Sequence, residues 1–157
     1  MSKFSGLTIT LNEFYWNLPS LLHTYQSKIN LLSETYCDHC IYEKLYKTSK
    51  IIAISSESCI DSVVNLNALK CIEKNTNVSV EVVVDRELIK STYQNKSTPY
   101  ILGYSEDNSL LWTWERAPKT IVSVENSGDQ KLVIVEKKKY RNGFYIKDTL
   151  EEIVSLL

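Results

Sequence analysis

Residues 50 to 84 hold the pattern that most narrows what this chain can become. Lys50-Ile-Ile-Ala-Ile54 is an apolar, β-branched run that reads as a strand over Ile51 to Ile54. It stops in the polar turn Ser55-Ser-Glu-Ser58, and Cys59 then opens a helix. In that helix Ile60, Val63, Val64, Leu66, Leu69 and Ile72 recur at helical spacing as far as Asn75-Thr-Asn77. Val78-Ser-Val-Glu-Val-Val-Val84 reads as a second strand, mostly apolar and therefore interior and parallel. A thiol between such a strand and such a helix is chemically privileged. Unpaired backbone N–H groups and the helix macrodipole favour negative charge there, which stabilises a thiolate and lowers a thiol pKa. Glu57 and Asp61 place opposing negative charge beside Cys59.

The remaining elements follow from the same kind of spacing. Residues 7 to 47 read as helical, with Leu11, Phe14, Tyr15, Leu18, Leu21, Leu22, Tyr25 and Ile29 at three- and four-residue steps. Pro19 divides that stretch, and a short helix spans residues 38 to 46. Asp85 ends the second strand and can cap a helix from Arg86 to Tyr93. Tyr100 to Tyr104 and Leu110 to Trp114 flank the turn Glu106-Asp-Asn-Ser109 as an antiparallel hairpin. Thr120 to Val124 and Leu132 to Val135 are expected as strands, with an irregular or partly helical connection as the alternative. Lys147 to Leu157 is expected as a helix capped by Asp148 or Thr149, with Leu150, Ile153, Val154 and Leu157 on one face. Strand, helix, strand, helix, hairpin implies an α/β fold, a central mixed sheet flanked by helices.

Charge and length exclude some function classes. A chain of 157 residues is expected to form one domain. With 18 basic and 19 acidic residues, its net charge of −1 leaves no electrostatic footprint for nucleic acid or an anionic membrane. The longest basic run, Lys137-Lys-Lys-Tyr-Arg141, reads as a solvated face or a strand end rather than a phosphate patch. No apolar segment reaches the roughly 18 residues of a membrane span, and the N-terminus lacks a leader pattern, so the expectation is a cytoplasmic protein without membrane contact. Four cysteines, at 37, 40, 59 and 71, are too sparse for an extracellular disulfide framework. Cys71, twelve residues beyond Cys59, reads as a small apolar core residue.

The turn Ser56-Glu-Ser-Cys59, the tripeptide Asp85-Arg-Glu87, Thr98-Pro99 before the hairpin, and Trp114-Glu-Arg-Ala-Pro118 after it together resemble the thioredoxin family. They look most like its bacterial thioredoxin-like branch with an N-terminal helical extension. The resemblance covers residues 50–118, the thioredoxin-like core. It leaves 1–49 as the helical extension and 119–157 as a C-terminal extension ending in a helix, all within a single domain at 1–157. It implies a thioredoxin-like fold, with Cys59 as nucleophile and Thr98 and cis Pro99 as the edge on which a bound peptide lies; Pro99 as a plain strand-start device is the structural alternative. The family spaces its nucleophile from that proline as Cys59 is spaced from Pro99, forty residues on. Cys37, in the more conspicuous Cys37-Asp-His-Cys40, lies sixty-two before it.

The chain departs from the family at three positions. Ser62 replaces the second active-site cysteine and leaves a monothiol Cys-x-x-Ser motif, Ser58 replaces the customary Trp, and Ala53 aligns with the usual buried acid. The expected function is thiol–disulfide exchange through Cys59 with Ser62 as a hydrogen-bonding neighbour. Substrates would be protein or low-molecular-weight thiols and disulfides, with no cofactor. Cys37 and Cys40 could resolve an intermediate on Cys59, form half a zinc site that His39 and His23 would complete, or be two reduced thiols on a helix; no metal site is assigned. The alternative function is a degenerate thioredoxin-fold binding module. In that reading the Thr98-Pro99 edge and the aromatic hairpin hold a partner without electron transfer, and a few of the ten tyrosines near the loop could form a peptide-binding lip.

Overall fold

A computed structural model describes residues 4, 7–32, 39–84 and 86–157, the side chains at 30–32 and 39–40 excepted. In chain order the elements are β1 (Thr8–Ile9), α1 (Leu11–Trp16), α2 (Ser20–Leu32) and α3 (His39–Glu43), which runs into a 3-10 turn at Lys44–Lys47. They continue with β2 (Lys50–Ile54), α4 (Ile60–Asn75), β3 (Ser79–Val83), α5 (Arg86–Tyr93), β4 (Tyr100–Tyr104), β5 (Leu110–Glu115), α6 (Lys119–Glu125), α7 (Gln130–Arg141) and α8 (Ile146–Ser155). The five strands form one mixed sheet in the order β1-β3-β2-β4-β5. β2 and β3 are parallel, joined by α4 as the crossover that parallel strands require, and the other pairings are antiparallel.

Side chains alternate across this sheet, so it separates two apolar layers. Ile51 and Ala53 of β2 face the larger one with Val80, Val82, Ile101, Trp112 and Trp114, under α1, α2, α4 and α8. Ile52 and Ile54 face the smaller one with Val83 and Leu102, under Leu88, Ile89 and Tyr93 of α5. α4 is the central helix of the larger layer, and Val63, Val64, Leu66, Ala68, Leu69 and Ile72 are completely buried. Cys71 is also buried there, 7% exposed. Among the described residues no helix is long and apolar enough to cross a membrane.

The N-terminal stretch departs from an all-helical reading at its first residues. Thr8 and Ile9 pair with Val83 and Val82 as an antiparallel edge strand, and Thr10 then caps α1 by accepting from the Glu13 N–H at 3.1 Å. A β-branched pair next to an apolar strand edge gains more from the ladder than from helix. The break at Pro19 is present, between α1 and α2. Asp85 and Cys37 lie outside the described residues.

Thr120–Val124 and Leu132–Val135 are helical, not strands. The Pro118 carbonyl accepts from Ile121 and Val122 (2.9 and 3.2 Å), which starts α6, and Asp129 caps α7 by accepting from the Lys131 and Leu132 N–H groups, both at 3.1 Å. Leu132, Ile134 and Val135 remain exposed, so no buried sheet position rewards their strand preference and capping decides. The basic run 137–141 is accordingly the last turn of α7 rather than a strand end. Asp148 and Thr149 do not cap α8, which begins at Ile146. Asp148 accepts from Thr120 Oγ1 at 3.1 Å and Thr149 donates to Asn65 at 2.8 Å, so both side chains are committed to tertiary contacts. Leu150, Ile153 and Val154 form its buried face, and Leu157 is exposed.

Two contacts hold the hairpin and the segment beyond β5 in place. Gly103 of β4 sits opposite Trp112 of β5, and a Cβ there would fall inside the indole ring, whose Nε1 donates to Thr48 at 3.1 Å. Arg116, just past β5, pairs with Glu125 of α6, and Lys137 of α7 reaches the same carboxylate at 2.6 Å. The Arg116 hydrogen bond above all, helped by Lys137, holds the Glu125 carboxyl down at about 2. Gly103→Ala is expected to cost about 1–3 kcal/mol through overpacking, read as a lower urea midpoint with an unchanged slope. Glu125 has a folded pKa below its unfolded value. Its contribution is therefore complete above the ordinary carboxyl range and disappears as pH falls through about 2. Glu125→Gln should unfold at lower urea than the parent chain at pH 7, and the two midpoints should converge as pH approaches about 2.

Candidate functional site

Cys59 occupies the N-cap of α4. Its backbone is extended (φ −95°, ψ 115°), its carbonyl accepts the first helical bond from Val63 at 3.1 Å, and its side chain takes no part in capping. The preceding turn is closed by the Cys59 N–H bonding back to Ser56 at 3.0 Å and by a 3.0 Å contact between the Ser56 and Ser58 hydroxyls. The thiol is half-buried, and Sγ lies 3.6 Å from the carbonyl oxygen of Thr98, to which it donates.

Thr98 and Pro99 therefore stand directly beside the thiol, although thirty-nine and forty residues away in sequence. The peptide bond between them is cis. Pro99 is buried at the start of β4, and its carbonyl accepts from the Arg116 N–H at 2.8 Å, while Ser97 donates its N–H to Glu115 at 3.3 Å. These bonds tie the loop at both sides to the end of β5. Tyr100 is next, with Tyr93 5.7 Å away between ring centroids and Lys96 over its face at 5.2 Å. Tyr93, Tyr100 and Tyr104 pack against the smaller apolar layer while remaining partly exposed.

Ser62 is one turn into α4 and completely buried, and its hydroxyl accepts from the Ser56 N–H at 3.5 Å. That hydroxyl supports the underside of the turn. Ala53 is completely buried in β2 and brings no titratable group toward the site. Cys71 is twelve residues further along the same helix, about 18 Å away at helical rise, in the core. Of the Cys37/Cys40 pair, Cys37 lies outside the described residues and Cys40 falls in α3, which packs against α4 and α8. Among the described residues no group of three His, Cys, Asp or Glu is placed to hold a metal ion.

Sequence reasoning passed over the polar network behind the motif, including the partners of Asp61. Asp61 accepts from the Tyr140 hydroxyl at 2.8 Å and lies 4.0 Å from the Arg116 guanidinium. Asn65, completely buried one turn on, donates to the Arg116 carbonyl at 2.8 Å and the Tyr140 oxygen at 2.6 Å, and accepts from Thr149 at 2.8 Å. Burial, with the Asp61 charge second, holds the Tyr140 phenol far above its ordinary range, so it stays a proton donor to Asp61. The charge of Asp61 beside Cys59 is thus met by a hydroxyl and a guanidinium. The one legible trace of this cluster is that Asn65 and Asn67 interrupt the apolar face of α4, since a buried amide must find partners elsewhere in the fold.

No family model matches the chain, and no curated protein matches it. Two solved structures share its fold. One is a protein of unknown function from Pseudomonas aeruginosa, 16% identical, with a TM-score of 0.75 over 99% of this chain and 97% of that one. The other is an HIV epitope-scaffold, 13% identical, with a TM-score of 0.74 over 96% of this chain and 92% of that one. At these identities the likeness is one of fold alone, and it runs almost from end to end of this chain.

Proposed function

We propose that this chain is a thioredoxin-like protein of the monothiol kind, exchanging disulfides through Cys59 in a reducing compartment such as the cytoplasm. The observation that carries the reading is the position of the half-buried Cys59 sulfur at a helix N-cap, 3.6 Å from the backbone of the Thr98–Pro99 loop. A peptide lying along that loop, with the Tyr100 lip beside it, would present its sulfur to Cys59.

The reaction is a pair of exchanges. The Cys59 thiolate attacks one sulfur of a mixed disulfide between a protein and a low-molecular-weight thiol, forming a new S–S bond. The protein sulfur leaves as a thiolate and takes a proton from water. A second low-molecular-weight thiol, deprotonated, then attacks the small-thiol sulfur now bonded to Cys59. Cys59 is released as a thiolate and the two small thiols leave as their disulfide. One disulfide is consumed and one is formed, so the protein sulfur is returned to the thiol at the expense of the single incoming small thiol, and no further reductant is needed. Ser62 cannot accept the second step, and its hydroxyl is committed to the turn, so resolution falls to an external thiol or to Cys37 or Cys40.

The same commitment of Ser62, with Ala53 in place of an acid, favours the rival reading of a peptide-binding module without electron transfer. An exchange assay on a glutathionylated peptide with excess glutathione separates the two. The parent chain should accelerate deglutathionylation, Cys59→Ser should reduce the rate to background, and a Cys37→Ser/Cys40→Ser variant should retain it if an external thiol resolves. No acceleration by the parent chain, together with undiminished peptide capture by Cys59→Ser, would establish the binding module instead.

A further inference from the structure

A concave site lies between α2 and α7, two helices that both pack against α4. Tyr25, Lys28, Val133, Ile134, Lys137, Lys138, Arg141 and Asn142 enclose a cleft of about 450 Å³, within the size of small-molecule sites. Its described walls carry four cations and no acid, in a chain whose net charge is −1. Lys137 is matched by Glu125 at 2.6 Å. Lys28, Lys138 and Arg141 have no ion-pair partner among the described residues; Lys28 lies 5.9 Å from the centre of the Tyr25 ring.

Cations in the last turn of α7 complement its dipole, which accounts for Lys138 and Arg141 on that helix. It does not account for Lys28, which comes from α2 and adds a third unmatched positive charge to the same space. Between the cations lie apolar surfaces of Tyr25, Val133 and Ile134, the last 68% exposed. At the wall, the Asn142 side-chain oxygen is buried and has no hydrogen-bond partner among the described residues. Such an oxygen is costly to leave unmatched, and a ligand donor would satisfy it once the amide turns toward the cleft.

We propose that this cleft binds a small amphipathic carboxylate bearing an N–H or O–H donor next to its charge, such as an N-acyl amino acid. The carboxylate lies among Lys28, Lys138 and Arg141, the donor meets Asn142, and the apolar chain covers Tyr25, Val133 and Ile134. Nothing in this assignment requires Cys59 to be reactive.

The test is calorimetric titration of the full chain at low salt with N-decanoylglycine below its micellar concentration. The expected result is saturable one-to-one binding. Its uncharged methyl ester should bind weaker by on the order of tenfold, and so should the acid to a Lys28→Glu/Lys138→Glu variant. Lys90→Glu on α5 should leave the affinity unchanged. Both altered side chains in the double variant are exposed, and its thermal midpoint, compared with the parent's, checks that it folds. Absence of saturable binding, equal affinity for acid and ester, or an equal loss in Lys90→Glu would overturn the assignment. So would binding seen only with anionic vesicles, which would make the cleft a membrane-facing patch.

Discussion

The helix that carries the thiol is tied to the rest of the fold through a buried amide. Asn65 sits in the middle of a helix packed on all sides, where an unpaired donor or acceptor costs about 1–3 kcal/mol. Its hydrogen bonds go to Arg116 beyond β5, Tyr140 on α7 and Thr149 on α8, so they pin three segments of the C-terminal third onto the first turns of the helix that Cys59 opens. Asn67, two residues on, does the same for the N-terminal part through a reciprocal amide pair with Gln26 of α2, at 2.8 and 2.9 Å. A single helix with two internal amides therefore fixes both extensions against the sheet. Apolar contact alone would leave their register open, because it is not directional.

The consequence for the site is rigidity from behind. The turn before Cys59 is built on local hydroxyl contacts, while Asp61, two residues after it, is gripped by Tyr140 and Arg116. Arg116 in turn donates its backbone N–H to Pro99. One residue thus reaches the helix carrying the thiol through its side chain and the loop facing the thiol through its backbone. It does so with a backbone φ of 67°, a conformation that L-residues adopt rarely and that must be held by such contacts. Displacing Arg116 would move both walls of the site, a coupling that no inspection of the Cys-x-x-Ser motif would suggest.

How much of this was legible depends on the range of the determining forces. β2, α4, β3, α5 and the hairpin are set by local periodicity and turn chemistry, and their limits could be read from Ile51, Val63, Val80 and the Glu106–Ser109 turn. The pairing of Cys59 with Thr98 was reachable only through resemblance, since nothing in either segment's own pattern points to the other. The helices at 119–141 read as strands in sequence because Ile121, Val122 and Ile134 carry strand propensity. Pro118 and Asp129, one position outside those helices, decide the matter by starting them. Thr8 and Ile9 went the other way, drawn out of a helical pattern by an open edge of β3 that only the assembled sheet provides. Ser62 shows the limit for sites: the motif names it a neighbour of the sulfur, and only the fold adds that it is buried and accepts from the Ser56 N–H.

The basic run of α7 shows why a charge cluster in sequence is not yet a surface. Lys137, Lys138, Lys139 and Arg141 are consecutive or nearly so, but about 100° of rotation per helical residue sends them in different directions. Lys137 turns to Glu125, Lys139 to Glu136 at 2.8 Å, and Lys138 and Arg141 toward the cleft. Half of the run is neutralised by acids on α6 and α7, a pairing that the run by itself does not show. The other half acquires meaning only when α2 brings Lys28 and Tyr25 alongside. Positive charge there is concentrated by tertiary packing and framed by apolar side chains, and that combination distinguishes a binding cleft from a merely soluble helix face.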